Sequence, residues 1–391
     1  MAKPLYLDPE QFDAVQKDII NNGFRRGRNC VVSGCAGSGK SCIAMAIFVD
    51  LCQRGRCPVI VTKQRALVNT YMDELLFLRD GSAGAYVRQH HGEVLEWYSQ
   101  NGVVNTFCKG VGCGVFDADC TDILVDEAQD FTRGEIDDIL SYFPKRQSVH
   151  FFGDDNQQIY EGAFGQTGQV NMEMLTALAG EVGSRRAYRS TLYNNYRLPI
   201  PAARFVDRVE GPEGNLSAKC FGEGSEKPYL LNFRSMTDAL GAVRDIIRVR
   251  KSNFRNYRAA VISYRCETCE QIFNAVDADP SICSARVRGA LARGVSNYRN
   301  VLGPKTLEHG EFANANVIAT TAFSAKGLQF DDVFVMVDDF ARESWSKELL
   351  NVLHVALTRT QRGLYVCYVN GASSRPFAHV PNVLCNMKIS A

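Results

Sequence analysis

Gly34-Cys35-Ala36-Gly37-Ser38-Gly39-Lys40-Ser41 fits the pattern G-x-x-x-x-G-K-[ST]. The stretch follows the apolar run Cys30-Val31-Val32 and precedes a helical pattern from Cys42 to Leu51. Strand, glycine-rich loop and helix in that order are the context that confirms a phosphate-binding P-loop. Glycines let backbone N–H groups converge on phosphate oxygens, and the helix N-terminus adds the positive end of its dipole. In this reading Gly34, Gly37, Ser38 and Gly39 shape the cradle. Lys40 sits on the β- and γ-phosphates, and the Ser41 hydroxyl binds Mg²⁺. The implied ligand is a nucleoside triphosphate.

Working outward from the loop, short β-branched runs recur between helical stretches. They include Val59-Ile60-Val61, Ile123-Leu124-Val125 and Val149-His150-Phe151-Phe152. A second set holds Ala260-Val261-Ile262, Val317-Ile318-Ala319, Val333-Phe334-Val335-Met336 and Leu364-Tyr365-Val366-Cys367. Alternation of this kind predicts α/β architecture, with parallel sheets covered by helices on both faces. Two sets on either side of about residue 190 predict two such domains, 1–190 and 191–391, within the two or three that 391 residues suggest. Asp8-Pro9-Glu10-Gln11 reads as a helix start, and Phe12, Val15, Ile19 and Ile20 as an apolar stripe at helical spacing. The Gly/Pro/Glu-rich stretch 210–228 reads as a surface loop.

The second chemical motif is Ile123-Leu124-Val125-Asp126-Glu127-Ala128-Gln129-Asp130. A buried strand delivers two adjacent carboxylates at its C-terminal end, where ligands bind in α/β sheets. Asp126 suits Mg²⁺, directly or through water, and Glu127 suits the polarisation of an attacking water. Net charge is +1, so no global field draws nucleic acid. Locally, residues 244–305 are rich in arginine and residues 117–138 are acidic. Apolar runs are too short for a transmembrane span, and no secretory signal is evident, which predicts a cytoplasmic or nuclear protein. The 14 cysteines are scattered, as expected of buried thiols. Cys266 and Cys269 form one C-x-x-C without a second pair, and Cys108, Cys113 and Cys120, with His90 and His91 upstream, are spaced irregularly for a metal site.

With these motifs in place the chain resembles superfamily 1 helicases of the UvrD/Rep type across nearly its whole length. Gln11, in Leu7-Asp8-Pro9-Glu10-Gln11, resembles the adenine-reading glutamine ahead of the P-loop. Val61-Thr62-Lys63 resembles motif Ia and Thr106-Phe107 motif Ib. Gly153-Asp154-Asp155-Asn156-Gln157-Gln158-Ile159-Tyr160 resembles motif III, with Gln157 as γ-phosphate sensor. Asn195-Tyr196-Arg197 resembles motif IV, in which Tyr196 stacks on adenine and Arg197 contacts the γ-phosphate. Thr321 to Phe330 resembles motif V, with Gly327 and Gln329 at the nucleotide. Val355-Ala356-Leu357-Thr358-Arg359 resembles motif VI, with Arg359 as arginine finger. The resemblance implies two RecA-like domains, ATP with Mg²⁺ at their interface, and closure and reopening that ratchet the chain along a single strand.

Departures from the family pattern accompany the matches. Where relatives carry a base-stacking aromatic after the motif III tyrosine, this chain has Gly162, with Phe164 as a substitute. Motif Ia has Val61 in place of an aromatic, and motif V has Phe323 in place of His and Gln329 in place of Glu. Thr62, Lys63, Thr106, Thr321, Phe164 and Phe323 are the expected nucleic-acid contacts. Motifs Ia and Ib stand close together, leaving 71–105 room for two or three helices, one around Val94, Leu95 and Trp97. Residues 280–315 leave room for a small basic excursion, so the large accessory insertions of relatives are expected to be absent or vestigial. The implied activity is a 3′→5′ DNA helicase or translocase. The alternatives are an ATP-driven subunit serving a nuclease or other partner, and a motor on RNA. The implied partner is single-stranded nucleic acid, DNA before RNA.

Overall fold

The computed structural model describes residues 7–77, 103–155, 168–184, 186–210, 215–222, 224, 226–255, 257–282, 316–340, 345–369 and 371–389. The helix expected around Trp97 and most of the basic excursion at 280–315 lie outside these residues. The chain divides into two compact units, one spanning Lys3–Asn194 and the other built on Asn195–Ala391.

The first unit is a six-stranded sheet. Its strands are β1 (Asn29–Gly34), β2 (Pro58–Thr62), β3 (Val104–Thr106), β4 (Asp122–Asp126), β5 (Ser148–Gly153) and β6 (Ala187–Leu192). They run in the order β3-β2-β4-β5-β1-β6, and every pairing is parallel. Parallel strands covered on both faces are apolar throughout. Accordingly β2 and β4 are buried at every position. One face packs Val31, Val61, Val125 and Phe151 against Ile136, Ile139, Leu175 and Leu178. The helix Lys40–Gln53 packs on β2, β4 and β5 and is buried almost all round, from Ile43 to Leu51.

The N-terminal segment departs from a single amphipathic helix. Asp8 caps one short turn with Pro9 at its first position, and Asp13 caps a second start at Ala14. A wider turn over Ile19–Gly23 follows. Phe12, Ile19 and Ile20 are buried, but Val15 is exposed and Gln16 takes the inward position. The restart of the helix at Asp13 shifts the stripe by one residue.

The second unit repeats the plan. Its main strands are β9 (Tyr229–Asn232), β10 (Ala259–Ser263), β11 (Val317–Thr321), β12 (Phe330–Met336), β13 (Thr360–Tyr368) and β14 (Asn386–Ile389). The order is β11-β10-β12-β13-β9-β14, again all parallel. A separate pair joins β7 (Asn195–Pro199) to β8 (Cys220–Gly222). The stretch 210–228 is therefore not wholly loop. Cys220 and Gly222 are buried against β7, and a Cβ on Gly222 would lie 2.1 Å from the Leu198 carbonyl oxygen. Close backbone approach, not loop flexibility, is what that glycine serves.

Candidate nucleotide site

β1 ends at Gly34, and the loop that follows turns on Gly37 (φ 77°) and Gly39 (φ 91°), both in the left-handed region open to glycine. A Cβ at Gly39 would lie 2.5 Å from the Gln16 amide nitrogen. Lys40 is buried, and its Nζ donates to the carbonyls of Gly34 at 2.6 Å and Cys35 at 3.3 Å. The ammonium thus rests inside the loop on weak neutral acceptors, where phosphate oxygens are stronger ones.

In the sheet β5 lies between β1 and β4, so the C-terminal ends of these three strands adjoin. Ser41, at the start of the P-loop helix, donates its hydroxyl to Asp126 Oδ2 at 2.7 Å. Tyr71, fully buried on the helix Arg65–Phe77, donates to the same oxygen at 2.7 Å. The Glu127 N–H occupies Asp126 Oδ1 at 2.9 Å. Burial, then the Glu127 charge, raises Asp126 above the usual carboxylate range, while Tyr71, Ser41 and Lys40 act in the opposite direction. Burial and the Asp126 charge hold Tyr71 well above its ordinary value, so it is a donor. A hydroxyl and a carboxylate brought together are the hard oxygen donors that Mg²⁺ takes. Ser41 and Asp126 therefore fit that ion.

Glu127 is the one non-glycine at positive φ among the described residues, at φ 55° and ψ 43°. A left-handed glutamate costs about 1–2 kcal/mol, which the surroundings must offset. Gln129 is part of that support. Its Nε2 donates to Glu127 Oε2 at 2.7 Å, and its Oε1 accepts the Asp154 N–H at 2.9 Å. The candidate base is thereby tied to the segment after β5. Gly153 leaves the space, since a Cβ there would lie 2.6 Å from Gln129 Oε1. Neither Tyr71 nor Gln129 was singled out from sequence. The quoted acidic motif contains Gln129, while nothing in the apolar spacing around Tyr71 marks it.

Gln11 is exposed and closes a small capping box with Asp8. The glutamine that touches the P-loop is Gln16, whose Nε2 donates to the Ser38 carbonyl at 3.2 Å. Gln16 also shares a capping box with Asp13, and Asp13 accepts from Asn194 at 3.1 Å. Gln157 and Phe164 lie outside the described residues.

In the second unit the buried Asn195 side chain accepts from the N–H groups of Arg197 (2.9 Å) and Leu198 (3.0 Å), which shapes the segment carrying Tyr196. Tyr196 stacks on Phe221, with centroids 5.8 Å apart and planes at 27°. Gly327 takes φ 81°, and Gln329 accepts from Gln361 at 2.6 Å. Arg359 is almost fully buried, with Nε donating to the Val355 carbonyl at 2.8 Å and a terminal nitrogen to Thr358 Oγ1 at 3.1 Å. Burial and then the Arg359 charge push His354 down to about 4.

Several expected strand-contacting residues face inward. Thr62 is fully buried and accepts from the Gln64 N–H. Lys63 pairs with Glu135 at 2.7 Å, over the Phe131 ring. Thr321 caps the turn Ala322–Ala325 by accepting from Ser324. Phe323 is buried beside Tyr264, with centroids 5.6 Å apart. Thr106 is partly exposed at the start of the turn Phe107–Gly110. Cys108 and Cys113 are exposed while Cys120 is buried, His90 and His91 lie outside the described residues, and no cluster of metal-binding type occurs among those described.

Comparison with known proteins agrees with this geometry. The family model of an AAA domain matches residues 16–163, and that of a UvrD-like helicase C-terminal domain matches 316–367. A variant of Dbp5 from S. cerevisiae, bound to RNA and ADP BeF3, superposes with a TM-score of 0.52 at 10% identity. That match covers 96% of this chain and 89% of Dbp5, and shows a shared RecA-like fold. The C-terminal domain of a possible DNA helicase from Lactobacillus plantarum WCFS1 matches 49% of this chain and 98% of its own length, at 20% identity and a TM-score of 0.34. No curated protein matches the chain. Among the described residues no helix is long and apolar enough to cross a membrane.

Proposed function

We propose that this chain, a UvrD-like helicase and hence an ATP-dependent nucleic-acid motor, hydrolyses ATP with Mg²⁺ to translocate on single-stranded DNA in the 3′→5′ sense. The observation that carries the reading is the contact of Ser41 with Asp126 at 2.7 Å, beside a strained Glu127 and a buried Lys40. Ser41 and Asp126 would hold Mg²⁺, which would supply neutralising charge to the phosphates. Lys40 exchanges its carbonyl partners for phosphate oxygens. Glu127, oriented by Gln129, takes the proton of the attacking water. Gln157 senses the γ-phosphate, and Gln11 and Tyr196 hold the adenine. Arg197 and Arg359 supply positive charge to the transferring phosphoryl group.

A second reading has the motor driven by a partner, a nuclease for instance, without unwinding on its own. The observation that favours it is the inward placement of Thr62 and Phe323 and the pairing of Lys63 with Glu135. ATP turnover measured with single-stranded DNA, RNA and duplex at fixed salt tests both. Stimulation by single-stranded DNA with strand displacement from a 3′ overhang is the expected result. Turnover indifferent to every nucleic acid would replace the first reading by the second, and stimulation by RNA alone would reassign the track.

A further inference from the structure

The Asp126 carboxylate has one donor that phosphate chemistry does not require. Ser41 belongs to the P-loop and Glu127 to the strand end, but Tyr71 comes from the helix Arg65–Phe77 that follows β2. Its ring is fully buried, where a phenylalanine would fill the same volume. A tyrosine in a core is unfavourable unless its hydroxyl finds a partner, and here the partner is Asp126 Oδ2 at 2.7 Å. The carboxylate torsion of an aspartate is broad and nearly two-fold. With Ser41 and Tyr71 on Oδ2 and the Glu127 N–H on Oδ1, all three donors fix that torsion from separate elements. Building on the nucleotide site proposed above, we propose that Tyr71 is a positioning residue for the metal-binding carboxylate. It holds Asp126 in the orientation in which the carboxylate and the Ser41 hydroxyl meet Mg²⁺–ATP together. Outer donors of this kind commonly set metal affinity without touching the metal.

The test is Mg²⁺ titration of binding of a fluorescent ATP analogue to the full chain. Wild type should bind the analogue more tightly as Mg²⁺ rises. Tyr71→Phe should raise the Mg²⁺ concentration at half-effect roughly 10-fold. Its affinity in EDTA should stay at the wild-type value, and its melting transition should be retained. In an Asp126→Asn background the same substitution should shift the Mg²⁺ dependence no further, because the group it acts through is gone. A Tyr71→Phe protein with wild-type Mg²⁺ dependence overturns the proposal. So does an equal shift in the Asn background, or a variant that has lost its melting transition, which would make Tyr71 a core residue only. Wild-type binding that ignores Mg²⁺ overturns the nucleotide site itself, a result distinct from the other three.

Discussion

The two units are drawn on one plan and differ at the strand ends. Matching β3-β2-β4-β5-β1-β6 with β11-β10-β12-β13-β9-β14 pairs every strand, with β1 opposite β9 and β4 opposite β12. Both carry an arginine–aspartate clamp at the start of the central strand. Arg56, just past the helix after β1, grips Asp122 at 2.7 and 2.9 Å. Arg250, in the helix after β9, grips Asp332 at 2.6 and 2.8 Å. At the other end the likeness stops. After β1 stands the P-loop, whereas after β9 Ser235 simply caps the helix Met236–Asn253 by accepting from Asp238. β4 ends in Asp126, and Glu127 follows it. After β12 stand Asp338 and Asp339, whose oxygens are taken by Val369 and Ser373 and by Arg265 and Thr268. The same fold thus places paired carboxylates at equivalent strand ends, yet only one pair has a glycine-built phosphate cradle beside it. Asp338 and Asp339 serve as acceptors for neighbouring backbone and hydroxyl groups.

If the proposed reading is right, the largest effect falls on Arg359, the arginine it assigns to transition-state charge. Arg359→Ala should lower ATP turnover by about 10³-fold or more while nucleotide affinity is held, as for an arginine acting on transition-state charge. Equilibrium binding alongside steady-state turnover checks it, and unchanged turnover would detach the second unit from the chemistry. Next, Glu127→Gln should cost about 10²–10⁴ in rate and leave ATP bound. Asp339→Asn, its counterpart in the plan, should lower the melting temperature and leave turnover alone. Loss of turnover in Asp339→Asn would break the contrast.

The clamps sharpen the comparison through stability. Arg250→Ala removes the charged partner of Asp332, which is fully buried and keeps one hydroxyl donor, Tyr257, and should cost about 3–5 kcal/mol in denaturant unfolding. Arg56→Ala should cost less, about 1–3 kcal/mol, because the Asp122 carboxylate keeps donors from Thr121 and Ser148. Equal losses would mean that the second hydroxyl on Asp122 contributes nothing. The smallest effect concerns His354. Its folded value of about 4 lies below its ordinary 6.5. The unfolded chain therefore takes up the proton first as pH falls. The stability contributed by neutral His354 is complete above 6.5 and is lost as pH drops towards about 4. Melting temperatures across that window should fall less steeply in His354→Asn than in wild type.

Legibility followed burial. The eight strands foreseen from apolar runs include all four interior strands of the first sheet and three of the four in the second. The strands not foreseen are mostly edges or short pieces. β6 keeps partly exposed positions along nearly its whole length, and β3 has three residues. A strand covered on both faces must be apolar at every position, whereas an edge is free to mix. β9 escaped notice although it is interior, because Tyr-Leu-Leu-Asn is too short to be told from a helix turn. In the same way the stripe Phe12, Val15, Ile19, Ile20 assumed one continuous helix, and the restart at Asp13 turned Val15 outward.

The P-loop and the acidic strand end were determined by sequence alone, because each is a local device. Backbone geometry of the glycines and the order of residues along one strand carry the chemistry without help from distant segments. What only the tertiary structure decided is which side chains complete them. Gln16 rather than Gln11 meets the loop, Tyr71 and Gln129 hold the two carboxylates, and Phe323 is packed beside Tyr264. These are contacts between residues up to 59 positions apart. The side-chain types involved, an amide, a phenol and a phenyl ring, serve equally in cores and in sites. Their role is set by what packing brings within hydrogen-bond reach, and no pattern along the chain encodes that distance.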